Sequence, residues 1–361
     1  MRDTTTPKDV DADTVTLSLA QLHTLALDVL RHHGVSEPHA QAMARVMVAG
    51  QRDACHSHGL FRLLMCVQSL RDGRVSRDAE PLVTQRSPVV VAVDAQAAFS
   101  PLAFEVGSHH LVEKVRACGM GALVINNCFH FSALWPEVEQ LTEHGLCALA
   151  MTPAHACVAP AGGRSAVFGT NPLAFGWPRA GAHPYVFDFA TSAVARGEIE
   201  LYRRSGRALP TGWGLDEDGE PCTDAATVLQ RGAMQTFGGY KGSALASMIE
   251  LMAGPLIGDL TSAQSLALDG RLGGAPHHGE LILAFDPRFF SGRDPALDQA
   301  GAEALFTAIT GQGARLPSQR RFEARAFSQS HGVQMARTLH ADILALMNEG
   351  SAIFRLIDVS L

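Results

Sequence analysis

Leu19, Leu22, Leu25, Leu27 and Leu30 recur near the helical period, and Gly34 ends the run, so the pattern predicts an amphipathic helix over residues 16–34. Ser36-Glu37-Pro38 restarts the chain as an N-cap with proline in the first turn, and a second helix runs through Ala42, Val46 and Met47 towards Cys55. After Gly59 a third periodic segment, residues 60–70, stops at Asp72-Gly73. Residues 16–86 therefore read as a helical unit, preceded by a polar, acidic leader over 1–15 that is expected to be disordered.

The texture changes after Pro88. Residues 89–93 are apolar and mostly β-branched, the mark of a buried strand. A helix from Ser100-Pro101 to Cys118, a strand over 122–126, a helix over 132–143 and a strand over 146–151 follow. This alternation predicts an α/β unit: a mixed or parallel sheet covered by helices. Further strands are expected at 185–189 and 281–285, with a long helix over 241–256 between them. Residues 259–278 read as a mobile loop, and the tail returns to helix at 302–310 and 333–347. The expected division is 87–300 for the α/β domain, with 301–361 packing back on the first helices.

The net charge of −7 argues against a nucleic-acid or anionic-membrane surface, and no apolar run is long enough to span a bilayer. Seven cysteines form an odd set with no Cys-x-x-Cys pair, as in a reduced, cytoplasmic protein. None of the sixteen histidines has the spacing of a zinc site, so no metal is expected.

The chemistry concentrates at His56-Ser57-His58-Gly59-Leu60-Phe61-Arg62, where two imidazoles, a hydroxyl and a guanidinium fall within seven residues. Imidazole exchanges protons near neutrality, and guanidinium presents a planar fork to a carboxylate, so the stretch suits a small organic acid. A hydrolase built on Ser57-His58, with Glu198 as third member, is disfavoured: there is no Gly-x-Ser-x-Gly elbow, and adjacent side chains rarely face each other. No Gly-x-Gly-x-x-Gly follows a strand, which excludes the Rossmann signature. Gly238-Gly239-Tyr240-Lys241-Gly242 nevertheless opens a helix, a sound phosphate or ribose site. Asp188, at a strand end, is a candidate partner for ribose hydroxyls.

Taken together, Ser57-His58-Gly59-x-x-Arg62, the run His130-Phe131-Ser132-Ala133-Leu134-Trp135-Pro136, Phe168-Gly169-Thr170-Asn171-Pro172, the run from Phe187 to Ser192, and Gly238 to Gly242 resemble, in the same order, the non-Rossmann malate/L-lactate dehydrogenase-like family. The His-Phe-Ser-Ala-Leu-Trp-Pro run is most similar to its branch of Δ1-piperideine-2-carboxylate/Δ1-pyrroline-2-carboxylate reductases. The resemblance implies a non-Rossmann NAD(P)-binding domain, a homodimer, and NADPH-dependent reduction of cyclic imino acids, with NADH as the alternative cofactor. It implies Ser57, His58 and Glu198 as the relay, and Arg62, Thr170, Arg196 and Gly197 as substrate contacts. Dinucleotide contacts would come from His130, Phe131, Ser132, Ala133 and Leu134, from Asp188, Phe189 and Ala190, and from Tyr240 and Lys241. Arg315, Arg320 and Arg321 would suit a 2′-phosphate. The branch has aspartate at the third relay position, where this chain carries the longer Glu198, and histidine where it carries Tyr240. A carboxylate near His58 would raise its pKa and keep it an acid near neutrality. A 2-hydroxy-acid dehydrogenase and a non-catalytic dinucleotide-binding protein are the competing readings.

Overall fold

The computed structural model describes residues 14–270, 273–292 and 295–348. A short strand, β1 (Thr14–Leu17), precedes α1 (Leu19–His32), α2 (Glu37–Arg52), a single 3-10 turn (His56–His58) and α3 (Arg62–Arg71). Strands β2 (Leu82–Gln85) and β3 (Val90–Asp94) lead through α4 (Ser100–Cys118) to β4 (Met120–Phe129). Then come α5 (Trp135–Glu143), β5 (Cys147–Met151), β6 (Leu173–Trp177) and β7 (Tyr185–Phe189). A smaller unit holds α6 (Arg196–Arg204), β8 (Gly214–Leu215), β9 (Pro221–Cys222), α7 (Ala225–Gln230) and β10 (Ala233–Met234). The chain continues with α8 (Tyr240–Ala253), α9 (Ser262–Asp269), β11 (His277–Phe285), α10 (Pro295–Thr310), α11 (Gln319–His331), β12 (Val333–Ala336) and α12 (Arg337–Ala345).

Seven strands form a mixed sheet in the order β2-β3-β4-β11-β5-β6-β7. Only β3 and β4 pair in parallel, across the right length of crossover supplied by α4. β11 enters between β4 and β5 and runs antiparallel to both, so a strand from late in the sequence occupies the middle of the sheet. On one face Val91, Val93, Leu123, Ile125, Ala148, Ala150, Ile282 and Ala284 are fully buried beneath α4 and α5. On the other face Ala92, Val124, Met151 and Leu281 pack under α8, while Val90, Ala122, Leu149, Phe187 and Leu283 remain partly exposed.

The helical unit closes around Leu22, Leu30, Met43, Met47, Leu60, Leu63 and Leu70, joined by Val333, Met335, Ile343 and Leu346 of the tail. The pattern-based expectations of one helix over 16–34 and another over 333–347 are corrected at their starts. β1 pairs antiparallel with β12, and Ser18 begins α1 through a capping box with Gln21. Thr14 and Val15, assigned to the leader, lie in β1; residues 1–13 of that expected leader fall outside the described residues. α10 lies against the sheet edge rather than with the tail: Phe306 stacks on Tyr185 at 5.2 Å and Glu303 pairs with Arg179 at 2.6 Å. The stretch expected to be a mobile loop contains α9, which starts with a capping box of Thr261 and Gln264. Ser262 is tied there to Glu250 and Asn171, which fixes α9 against α8.

Candidate active site

The imidazole-rich turn is held by backbone contact with the end of α2. A Cβ on Gly50 would lie 2.5 Å from the His58 carbonyl oxygen, and one on Gly59 would lie 3.1 Å from the Gln51 nitrogen. Gln51 is buried and clamps the turn from both ends: its side-chain nitrogen meets His56 Nδ1 at 3.0 Å, and its Oε1 accepts from the Leu60 N–H at 3.3 Å. Nothing in the spacing of the histidines pointed to Gln51 or Gly50. Gly50→Ala is expected to push the turn off α2 and to destabilise the fold by about 1–3 kcal/mol. Chemical denaturation would read that loss, and an unchanged midpoint would remove Gly50 from this account.

Ser57 Oγ and His58 Nδ1 lie 3.1 Å apart, so the two adjacent side chains do meet, contrary to the sequence-based expectation. Among the described residues, no carboxylate is bonded to either. Glu198 is exposed in the first turn of α6 and makes no hydrogen bond or ion pair with His58. The expected rise in the His58 pKa is therefore reversed: burial, then the charge of Arg62, then His130, lower it to about 3. Arg62 stands close by with its Nε buried and without a hydrogen-bond partner, and its Nη1 lies 3.9 Å from Met65 Sδ. Burial lowers its own pKa as well. A buried guanidinium with no anion is costly, and a carboxylate ligand is the natural complement.

Hydrogen bonds draw the other motifs together. Asp188 Oδ2 accepts from the N–H groups of Leu134 and Trp135, both at 2.9 Å, and so caps α5. Burial lifts the Asp188 pKa to about 6 against the pull of those bonds. Thr191 N–H donates to the Thr170 carbonyl at 2.8 Å, and Phe237 N–H to the Thr191 carbonyl at 3.1 Å. The segments holding Thr170, Asp188 and Gly238 to Lys241 therefore adjoin one another. Ser318 Oγ donates to the Val186 carbonyl at 2.6 Å, which brings the 315–321 segment to β7.

Side chains within these motifs divide by burial. Phe131 stacks edge-on against Phe99 in the helical core, and Leu134 is fully buried under the sheet, so both offer only backbone to a ligand. Ala133 and Ala190 are partly buried, and Ser132 Oγ is buried without a hydrogen-bond partner. Phe189 and Tyr240 are 39% and 73% exposed, large flat surfaces at the sheet edge and at the start of α8. Gly238 and Gly239 have φ of +55° and +60° and open space where a Cβ would stand, with exposed Lys241 following. This open glycine turn, helix N-terminus and aromatic face fit a dinucleotide.

Arg321 is committed elsewhere. It binds Glu139 at 2.7 Å and Ser318 Oγ at 2.7 Å, and lies 3.9 Å over the Trp135 ring. Arg325, Asp53 and Arg52 extend this network, none of which the sequence reading identified. Arg315 and Arg320 are exposed. Arg196 sits beside Cys157 and His155, and Gly197 is exposed next to it. Behind His130, its Nε2 and carboxylate oxygens of Glu137 and Glu280 lie within 4.8 Å of one another, all three residues buried.

The profile of the malate/L-lactate dehydrogenase family matches residues 17–344. The chain belongs to that family. Malate/L-lactate dehydrogenase relatives similar to it include the Δ1-pyrroline-2-carboxylate reductase of Pseudomonas fluorescens, 59% identical over 92% of this chain and 99% of its own. The Δ1-pyrroline-2-carboxylate/Δ1-piperideine-2-carboxylate reductase of Pseudomonas aeruginosa is 57% identical over the same shares, 92% and 99%. Among solved structures, the Δ1-piperideine-2-carboxylate reductase of Pseudomonas syringae superposes with a TM-score of 0.87 at 39% identity, covering 92% of this chain and 99% of that one. The protein is thus an oxidoreductase with the non-Rossmann mixed sheet of this family, and the family implies a nicotinamide cofactor.

Proposed function

We propose that the protein reduces cyclic imino acids with NADPH, taking Δ1-pyrroline-2-carboxylate to L-proline and Δ1-piperideine-2-carboxylate to L-pipecolate. The observation that carries this reading is Arg62, whose buried Nε has no hydrogen-bond partner and which meets no acid among the described residues, beside His58 with its pKa lowered to about 3. Arg62 binds the substrate carboxylate, with Thr170 as a second contact, and so fixes the C=N carbon in one orientation. A reduced nicotinamide supplies hydride to that carbon when bound. Phe189, Gly238 to Lys241 and the backbone around His130 to Leu134 would hold the dinucleotide. Arg315 and Arg320 would meet a 2′-phosphate, since Arg321 is already paired.

The depressed pKa of His58 favours an imine over an oxo acid. A cyclic imine is basic and enters as the iminium, carrying its own proton. A neutral imidazole accepts a hydrogen bond from that ring N–H and keeps the proton in place, with Ser57 aligning the ring from Nδ1. An oxo acid instead needs a proton donor, and an imidazole with a pKa near 3 is unprotonated at neutral pH. Glu198 enters this scheme only through the family pattern. The partly exposed apolar positions on the α8 face of the sheet, together with Leu251 and Leu256, support a homodimer. Seven free thiols support a reducing, cytoplasmic setting.

The test is oxidation of NADPH and NADH against the two cyclic imines, pyruvate and oxaloacetate. Fast turnover of the imines with NADPH is expected. Turnover of the oxo acids alone would overturn the substrate, and faster reaction with NADH would overturn the cofactor.

A further inference from the structure

Glu280 is fully buried in the central strand of the sheet, on the face it shares with Ile282 and Ala284, and neither of its oxygens meets a cation of Lys or Arg or a backbone N–H among the described residues. Glu137, in the first turn of α5, points an equally unpartnered Oε2 into the same spot. His130 Nε2, likewise buried, lies 3.4 Å from Glu280 Oε2, within reach of a hydrogen bond to it. Two bare carboxylates this close in an apolar setting cannot both be charged; one proton between them removes most of the penalty. Burial, and then the neighbouring Glu280, hold the Glu137 carboxyl well above the usual carboxylate range, whereas Glu280 stays below it.

We propose that Glu137 and Glu280 share a single proton and that Glu280, by accepting from His130 Nε2–H, fixes the ring orientation and tautomer of His130 beside His58. Glu137 and Glu280 are then positioning residues, acting on His58 through His130. His130 is the link, because it is an electrostatic neighbour of both His58 and Asp188. The inference rests on the imine-reductase reading for its kinetic consequence but not for the shared proton itself. The other titratable or charged groups around the cluster are Asp188, Asp259, Cys128, His278, His58 and Arg62.

The shared proton has a sign in pH. Above the ordinary glutamate range the unfolded chain releases this proton while the folded chain keeps it, so stability falls as pH rises through the raised pKa of Glu137. Glu137→Gln should flatten that fall, as read from melting temperature against pH. Infrared spectra of the wild-type protein in mildly alkaline buffer should show a protonated-carboxyl C=O stretch that Glu137→Gln removes or shifts; its absence from the wild type would overturn the pair. Glu280→Gln should lower kcat about 10- to 100-fold with little change in KM for the imino acid, and should move the acid limb of the pH profile. An unchanged kcat and profile in an active enzyme would sink the link to His58. A wild-type protein inactive on every imine would instead sink the imine-reductase reading and leave the infrared result standing. A stoichiometric divalent metal in the purified protein, lost in Glu280→Gln, would show a metal site there and overturn the shared proton.

Discussion

His58→Ala is expected to lose roughly 100- to 10,000-fold in kcat on cyclic imines, the range that positioned proton-handling groups supply. Binding of NADPH, read by fluorescence titration, should be nearly unchanged, because the segments proposed to hold the dinucleotide, residues 130–134, 188–190 and 238–241, lie outside the turn. His58→Asn distinguishes holding a proton from donating one. Its amide oxygen can accept a hydrogen bond from the iminium but cannot act as an acid near neutrality, so it should recover part of the loss. A variant at wild-type turnover would dismiss His58. An asparagine variant as dead as alanine would dismiss the hydrogen-bond-acceptor role.

The pH dependence follows from the same residue. Protonating His58 would put a second positive charge beside Arg62 and against the iminium, so kcat/KM should fall on the acid side, with a midpoint below the ordinary histidine value of about 6.5. Stability moves in the same direction. Between about 6.5 and 3 the unfolded chain takes up a proton that folded His58 refuses, so the fold weakens as pH drops through that window. His58→Ala should lose this acid sensitivity while its stability at neutral pH stays close to wild type.

Much of the scaffold was legible in local pattern. α4 runs over the predicted Ser100 to Cys118 because proline in the first turn and left-handed Gly119 at its end mark both limits. β7 likewise matches residues 185–189. What local pattern could not show is pairing across long separations. β1 and β12 are four-residue strands more than three hundred positions apart, and each was absorbed into the neighbouring helix. The middle position of β11 in the sheet is equally invisible from its own residues. In the site, motif order located Ser57, His58, Arg62, His130 and Asp188, which the fold brings together. Roles that depend on environment were not readable. Glu198 shares a sequence offset with a relay carboxylate but faces solvent on α6, and Arg321 sits in a basic run but is held by Glu139 and Trp135. Glu137 and Glu280 looked like an ordinary first-turn acid and a strand residue until the fold buried them around His130.

Arg62 should show opposite effects on function and on stability. Its guanidinium makes no ion pair among the described residues, although burial disfavours its charge. Removing a partly buried cation that no anion answers relieves desolvation rather than breaking an ion pair, so Arg62→Met, which keeps the apolar stem, is expected to melt at or above the wild-type temperature without substrate. The same change should raise KM for the imino acid by roughly 30- to 1,000-fold, as the loss of about 2–4 kcal/mol from a desolvated carboxylate pair requires. Arg62→Lys keeps the charge but not the planar fork, so it should restore only part of the affinity. A substrate analogue such as the saturated cyclic amino acid should stabilise the wild type against heat far more than Arg62→Met. A destabilised Arg62→Met with unchanged KM would make Arg62 a structural residue and leave the pocket without its carboxylate anchor. A protein that gains stability while losing substrate affinity is what a site built around an uncompensated charge requires, since the charge is stabilised only when the acid arrives.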